Sequence, residues 1–293
     1  RVLYMKKSGF TLTEALITLG IIGVVAALTI PALVKQSADD ANAAKLSVTV
    51  SNLENGLTTM IMKENAVDIM GTKAWKFLSG VSWDKLEEPN EWEVTNNAQK
   101  LTGKSSQADI DAFTGLLGQY IHVRGAKPIA KMSTYYDSKG PYALKSDGSK
   151  GSLYSSLDGE VFAMELKNGA TVFARVFSNG DNLRRTTQTE IDDLVKAGGA
   201  YTYDMADIFI DVNGKSAPNT IGRDLFAFQI GENGVLYPSG GKAQQVYESK
   251  SSDPGLWNGT SADSACLPES KIVKNSGWGC TARLVEEGYK FSY

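Results

Sequence analysis

The sequence predicts an α+β fold in which a long N-terminal helix packs on a C-terminal antiparallel β-sheet. Two observations predict it. An uncharged apolar stretch near the N-terminus continues into an amphipathic helical pattern. From about residue 153 the apolar residues alternate with a period of two, and turn-forming dipeptides separate the runs. The chain has 293 residues, of which 42% are hydrophobic and 22% charged, enough for one or two globular domains.

Composition excludes several functions. The formal net charge is −3, with 30 basic and 33 acidic residues, so nucleic acid bound through bulk positive charge is not an expected partner. One histidine and two cysteines are too few for a zinc site or a His-based catalytic triad. The sequence also lacks a phosphate-binding loop and a Gly-x-Ser-x-Gly motif. We therefore expect no enzyme and no required cofactor.

The apolar stretch predicts one membrane-spanning helix. Phe10–Val34 contains a single ionisable side chain, Glu14. Its apolar run of about 24 residues would span roughly 36 Å as a helix, enough for a hydrocarbon core of about 30 Å. Lys6 and Lys7 precede it, so the N-terminus is expected in the cytoplasm and residues 36–293 outside.

Two other interpretations of this stretch are a cleaved secretory signal peptide and a plain signal anchor. A signal peptide has a shorter apolar region of about 7–15 residues and a small-residue cleavage site, which this stretch lacks. A plain anchor explains the length and the lysines but not Glu14. A carboxyl group of a helix inside lipid costs on the order of 2.5–3.5 kcal/mol on insertion scales and therefore needs a partner.

The motif Lys-Lys-Ser-Gly-Phe-Thr-Leu-Thr-Glu at residues 6–14 resembles the leader junction of type IV prepilins and type II secretion pseudopilins. The resemblance implies that a prepilin peptidase cuts between Gly9 and Phe10 and then methylates Phe10. It implies assembly roles for Glu14, the fifth mature residue, and for Pro31, which bends the helix in many pilins. The implied partners are the peptidase, an inner-membrane assembly platform, and copies of this chain or other pilin-like subunits.

The physical chemistry of the motif agrees with the resemblance. Cleavage before Phe10 leaves a cationic amine one helical turn from Glu14, so the two groups can pair within a chain or between neighbours. Methylation keeps that positive charge. Because the chain begins with Arg1, we expect Met5 to be the start of a short leader, Met5–Gly9.

These features predict a structural subunit of a type IV pilus or a type II secretion pseudopilus, polymerised through its N-terminal hydrophobic helix. It would reside in the bacterial inner membrane and assemble into a periplasmic or surface filament. The alternative is a binding module displayed on such a filament, an adhesin or DNA-uptake minor pilin, with a loop near the C-terminus as its contact surface. A tethered enzyme lacks a nucleophile–base pair in the sequence.

The helical pattern continues beyond the apolar stretch, with apolar residues at steps of three and four as far as about Glu64. One continuous helix from Phe10 is therefore predicted, although a separate second helix is an alternative. Ser106–Ile121 is predicted as a further helix with Ser106 at its start. The predicted parts are a leader (1–9), a transmembrane helix (10–34), its amphipathic continuation (35–65), a connecting αβ region (66–150) and an antiparallel sheet domain with a C-terminal disulfide loop (151–293).

The sheet begins with the clearest hairpin signal in the sequence. Residues 160–167 and 170–177 flank Asn168-Gly169, which favours a type I′ turn. Three further strands are predicted at Asp207–Val212, Leu225–Ile230 and Val235–Tyr237.

Two sets of residues in this region are candidates for a disulfide and for a metal site. Cys266 and Cys280 lie outside the membrane in the predicted topology, so a disulfide is expected, the alternative being two buried thiols. Asp211, Asn213 and Asp224 offer oxygen ligands of the kind that calcium prefers. Some pseudopilins hold calcium in a C-terminal loop, although the spacing here fails the EF-hand pattern. Because Asp and Asn are also common turn residues, a purely structural loop is the alternative.

Overall fold

The computed structural model describes residues 11–79, 81–85, 92–97, 105–129, 131–145, 149–154, 161–176, 204–231, 233–241, 266–267, 272–273 and 277–293. The chain divides into two compact units, Arg1–Ala41 and Asn42–Tyr293, which are described separately. The first helix, α1, spans Leu12–Lys63 without interruption and contributes residues to both units.

In the first unit α1 is apolar and exposed. Its large hydrophobic side chains lie at the surface, with Leu12 79%, Ile22 63% and Leu28 75% exposed. By length and composition α1 is able to cross a membrane, and it is the one such helix among the described residues. The polypeptide continues as a helix through Pro31, whose missing N–H removes one backbone hydrogen bond.

The second unit contains the remaining elements. The other helices are α2 Lys73–Ser79, α3 Gln107–Leu117, α4 Met132–Tyr135 and α5 Cys280–Glu286. The strands are β1 Val81–Lys85, β2 Trp92–Asn97, β3 Val123–Ile129, β4 Tyr142–Leu144, β5 Lys150–Leu153, β6 Val161–Leu166, β7 Thr171–Val176, β8 Asp204–Asp211, β9 Leu225–Gly231, β10 Leu236–Pro238, β11 Cys266–Leu267 and β12 Ile272–Val273. A short 3-10 helix, Ile69–Gly71, precedes α2.

Six strands form the main sheet in the order β10-β9-β8-β7-β6-β3, and each neighbouring pair is antiparallel. This arrangement confirms the predicted α+β class with a long helix and an antiparallel sheet. The edge strand β3 comes from the segment before residue 150, which the sequence analysis had assigned to a connecting region.

The two faces of the sheet contact different cores, as the period of two requires. On β6 and β7, Phe162, Met164 and Val172 join the core that contains the buried face of α1. Phe173, which directly follows Val172 in sequence, faces the other way, towards Tyr135 and its neighbours from α4. The sheet is therefore buried on both faces, whereas the sequence pattern predicted a helix on one face.

The second part of α1 supplies one wall of the first core. Its buried residues recur at helical spacing: Ala43, Leu46, Thr49, Val50, Leu53, Gly56, Leu57 and Met60. Gly56 allows α1 to lie close to Ile121, because a Cβ at residue 56 would be 2.4 Å from Ile121 Cγ1. The amphipathic half of α1 thus packs on its own sheet, as predicted.

Two local predictions were wrong in detail. The turn at Asn168-Gly169 is not type I′, because Gly169 has a positive φ of 80° and Asn168 does not. The Gly169 N–H instead donates to the Leu166 carbonyl, and the Asn168 side chain accepts from the Ala170 N–H and donates to the Thr49 hydroxyl. The helix predicted at Ser106–Ile121 ends at Leu117, where the Gly118 N–H bonds the Thr114 carbonyl.

Candidate functional site

The first turn of α1 is closed by a pair of side chains. Thr11 precedes the helix and Glu14 lies three residues later. Glu14 Oε2 accepts hydrogen bonds from the Thr11 N–H at 2.9 Å and from the Thr11 hydroxyl at 2.8 Å. The Glu14 N–H in turn donates to Thr11 Oγ1 at 3.3 Å. This reciprocal pair is a capping box, which satisfies donors that the start of a helix leaves unpaired.

This contact between Thr11 and Glu14 was not predicted from the sequence. Its signal is the Thr-x-x-Glu spacing at residues 11–14, immediately before an apolar run. Only a terminal amine was predicted as the partner of Glu14. In the structure, Thr11 of the same chain donates to one of the two carboxylate oxygens.

Two other hydroxyl groups of the apolar stretch are satisfied inside the helix. The Thr18 hydroxyl bonds the Glu14 and Ala15 carbonyls, both at 2.9 Å, and the Thr29 hydroxyl bonds the Val25 carbonyl at 2.9 Å. In the described part of the chain, Glu14 Oε1 accepts no hydrogen bond. A strong acceptor is therefore left among exposed apolar side chains, where a cationic donor would be favourable.

Of the other residues in the predicted assembly site, the structure describes Pro31. Gly9 and Phe10 lie outside the described residues, so cleavage and methylation there stay predictions. Pro31 lies within the exposed apolar part of α1.

Cys266 and Cys280 form a disulfide with a Cα–Cα distance of 5.1 Å. Both residues are fully buried, and Leu144 and Tyr293 pack against them. The Arg283 guanidinium, itself buried, donates to the Cys266 carbonyl at 3.1 Å. The crosslink therefore belongs to the interior of the second unit.

Removing the disulfide is expected to destabilise the second unit by about 3 kcal/mol, because the closed loop has about 15 residues and its closure restricts the unfolded chain. The variant is Cys266→Ser with Cys280→Ser, compared with the native chain by urea unfolding in detergent micelles. Adding a reductant should lower the native midpoint and leave that of the double variant unchanged. Equal midpoints for the two proteins would contradict the expectation.

The alternative function placed a contact surface on the loop between these cysteines. Residues 268–271 and 274–276 of that loop, including its two lysines, lie outside the described residues. Trp278, which is described, packs on Phe209 with ring centroids 5.0 Å apart and on Tyr154 at 5.5 Å. This tryptophan therefore contributes to the core of the second unit.

The structure brings Asp211, Asn213 and Asp224 together in the turn between β8 and β9. Asp224 Oδ1 accepts from the Thr220 N–H at 2.6 Å, and its Oδ2 accepts from the Asn219 N–H at 2.7 Å. The side-chain amide of Asn213 also donates to Asp224 Oδ2 at 3.3 Å.

Asp211, the other carboxylate of this turn, is also bonded. Its Oδ2 accepts from the Tyr136 hydroxyl at 2.7 Å and its Oδ1 from the Asn213 N–H at 3.1 Å. Tyr136 was not predicted as a partner of Asp211, because it lies 75 residues away and meets Asp211 only through the packing of α4 on the sheet.

Burial raises the pKa of both carboxyl groups. It raises the pKa of Asp224 to about 6, in spite of the backbone N–H groups that lower it. The pKa of Asp211 lies well above its ordinary value, first because of burial and then because of repulsion from Asp224. Burial likewise raises the pKa of Tyr136.

Stability is therefore expected to fall as the pH rises from about 4 to above 6. The folded chain retains a proton on Asp224 that the unfolded chain, with an ordinary pKa of 3.8, has already lost. The contribution of Asp224 to the free energy of unfolding is complete below about pH 4 and is lost as the pH rises through 6, a change of roughly 3 kcal/mol. Urea unfolding across this range, with EDTA present, should show a smaller decline for Asp224→Asn. Equal declines in both proteins would contradict the assignment.

Calcium binding at this turn stays a prediction. The carboxylate oxygens that would bind the ion already accept N–H and O–H groups, and among the described residues no three His, Cys, Asp or Glu side chains are arranged to hold a metal. Asn219, which is buried, has an Oδ1 atom without a hydrogen bond. A bound ion predicts a higher melting temperature in calcium than in EDTA, lost in Asp224→Asn, whereas a purely structural loop predicts equal temperatures.

Comparison with known families finds one match. Residues 4–30 match the family model of the prokaryotic N-terminal methylation motif, the signature of prepilin-type cleavage and methylation. The match covers the capping box and most of the exposed apolar part of α1. Comparisons with curated proteins and with solved structures give no significant match.

The motif supports a type IV pilin-like or pseudopilin-like protein. Such motifs are typical of structural subunits that assemble with other pilin-like subunits after processing by a peptidase. The apolar α1 fits a membrane-anchored, single-pass chain of this class.

Proposed function

We propose that the chain is a structural subunit of a type IV pilus or a type II secretion pseudopilus. A prepilin peptidase cuts between Gly9 and Phe10, and the mature chain polymerises through the exposed apolar part of α1. The observation that carries this proposal is the methylation motif, which overlaps the apolar part of α1. Glu14 is the one acidic side chain of the apolar stretch at residues 10–34, and within the described residues one of its carboxylate oxygens has no donor.

Assembly follows from the exposure of this helix. Side chains such as Leu16 and Ile17 are 62% and 57% exposed, so an α1 helix drawn from the lipid can bury them against α1 helices of other copies. The methylated amine of a neighbouring Phe10 supplies the cation that Glu14 needs, because a carboxylate in an apolar environment demands a partner.

The second unit is the part displayed outside the membrane. Its buried residues form one core on each face of the main sheet, and its disulfide joins Cys266 to Cys280. The assembly platform of the inner membrane is the expected partner during polymerisation.

The proposal is tested by shearing filaments from cells that express a tagged chain and probing them for the tag. The chain should sediment with filaments, or with overproduced pseudopili, only in cells that have an active prepilin peptidase. A chain that stays in the inner membrane with the peptidase active would contradict the proposal.

A further inference from the structure

We propose that Thr11 is a positioning residue for the assembly carboxylate of Glu14. The proposal rests on the proposed function and adds a residue that amine pairing alone does not require. Two donors of Thr11, its N–H and its hydroxyl, hold Glu14 Oε2 at 2.9 and 2.8 Å. The other oxygen, Oε1, accepts no hydrogen bond within the described residues and stays available to another chain.

The physical reason is preorganisation. An unrestrained Glu side chain samples several rotamers and loses that freedom when it binds a partner. Thr11 fixes the carboxylate at the start of α1 before a neighbour arrives, so less freedom is lost on assembly. The same contact satisfies the Thr11 N–H, which an apolar environment would otherwise leave unpaired.

The contact is specific to Thr11. The Thr18 hydroxyl bonds backbone carbonyls and does not reach the Glu14 carboxylate. Thr13 is adjacent to Glu14 in sequence and exposed, and no hydrogen bond joins its hydroxyl to Glu14 in the described part of α1. Thr13 therefore provides a matched control in which the same chemical group is removed at a neighbouring position.

The test uses the full chain with Thr11→Val, Thr11→Ser or Thr13→Val, each co-expressed with a tagged native chain so that filaments form in every case. The measured quantity is the ratio of variant in sheared filaments to processed variant in the membrane, so altered cleavage does not distort it. Thr11→Val should lower the ratio about tenfold, the effect of losing a hydrogen bond to a charged group. Thr11→Ser should keep it within about twofold, and Thr13→Val should match the native chain.

A double variant separates positioning from helix capping alone. If Thr11 acts through Glu14, adding Thr11→Val to Glu14→Ala should cause no further loss, whereas an independent role in the helix would add to it.

Three results would overturn the inference. These are a native ratio for Thr11→Val, an equal loss for Thr11→Ser, and an additive loss in the double variant. With Glu14→Ala still defective, each of them would leave the proposed function intact. Normal incorporation of Glu14→Ala would instead contradict the carboxylate pairing, and absence of the native chain from filaments would contradict the proposed function itself.

Discussion

Replacement of Glu14 with alanine or leucine is expected to leave membrane insertion intact and to lower incorporation into filaments roughly ten- to a hundredfold, the effect of losing a hydrogen bond between charged groups. Insertion depends on the apolar length of α1, which either substitution preserves. Incorporation depends on a carboxylate that attracts the amine of a neighbouring chain.

Asp40→Ala is the matched control for this prediction. Asp40 is also an exposed acid on α1, but it lies beyond the apolar stretch. The measurement is the fraction of processed chain recovered in sheared filaments. The carboxylate-pairing account is wrong if Glu14→Ala reaches the native fraction, or if Asp40→Ala lowers it equally.

Shortening Leu53 to alanine is expected to destabilise the second unit by about 2–5 kcal/mol, because a buried leucine leaves a cavity when it is truncated. Leu53 is 4% exposed and faces the core shared by α1 and the sheet. The same substitution at Leu28, which is 75% exposed in the first unit, should change the unfolding free energy by less than about 0.5 kcal/mol.

Incorporation into filaments should instead be sensitive to the substitution at Leu28. Leu28→Ala removes apolar surface that neighbouring helices would bury, so it should lower incorporation although the chain stays stable. Urea unfolding in micelles and the filament fraction are measured on both variants. Equal stability losses at the two positions would contradict the division of α1 into an assembly half and a core half.

Much of the fold followed from local patterns. The hairpin around Asn168-Gly169 was predicted because alternation of period two on both sides fixed its strands, and β6 and β7 lie within one residue of the predicted ends. The turn type was wrong because a glycine in the left-handed region is also compatible with a longer loop, and the Asn168 side chain bonds Thr49 on α1.

The edge strand β3 was not predicted, because Val123–Ile129 contains Gly125 and Pro128 and has no regular alternation. Its pairing with β6 is a tertiary contact that no local pattern specifies. The same reason applies to the Tyr136–Asp211 hydrogen bond, whose two residues belong to different elements.

The candidate assembly site was easier to predict from the sequence than the arrangement of the buried turn. Glu14 is the one acid in an apolar stretch. The capping box that binds it has a recognisable local spacing, Thr-x-x-Glu, although the contact was not predicted. At the buried turn, the structure brings the three candidate ligands together, and their role as ligands stays a prediction. Their hydrogen bonds to the backbone of residues 219 and 220 depend on how the whole turn folds.

The proposed function depends on a peptidase that trims the chain and so creates the cation that Glu14 needs. Intact-mass analysis of the chain purified from membranes and filaments tests it most directly. The predicted mass corresponds to a chain that begins at Phe10, carries one added methyl group and lacks two hydrogens because of the Cys266–Cys280 disulfide. A mature, filament-associated chain that still contains Lys6 and Lys7, without a methyl group, would contradict the proposed function.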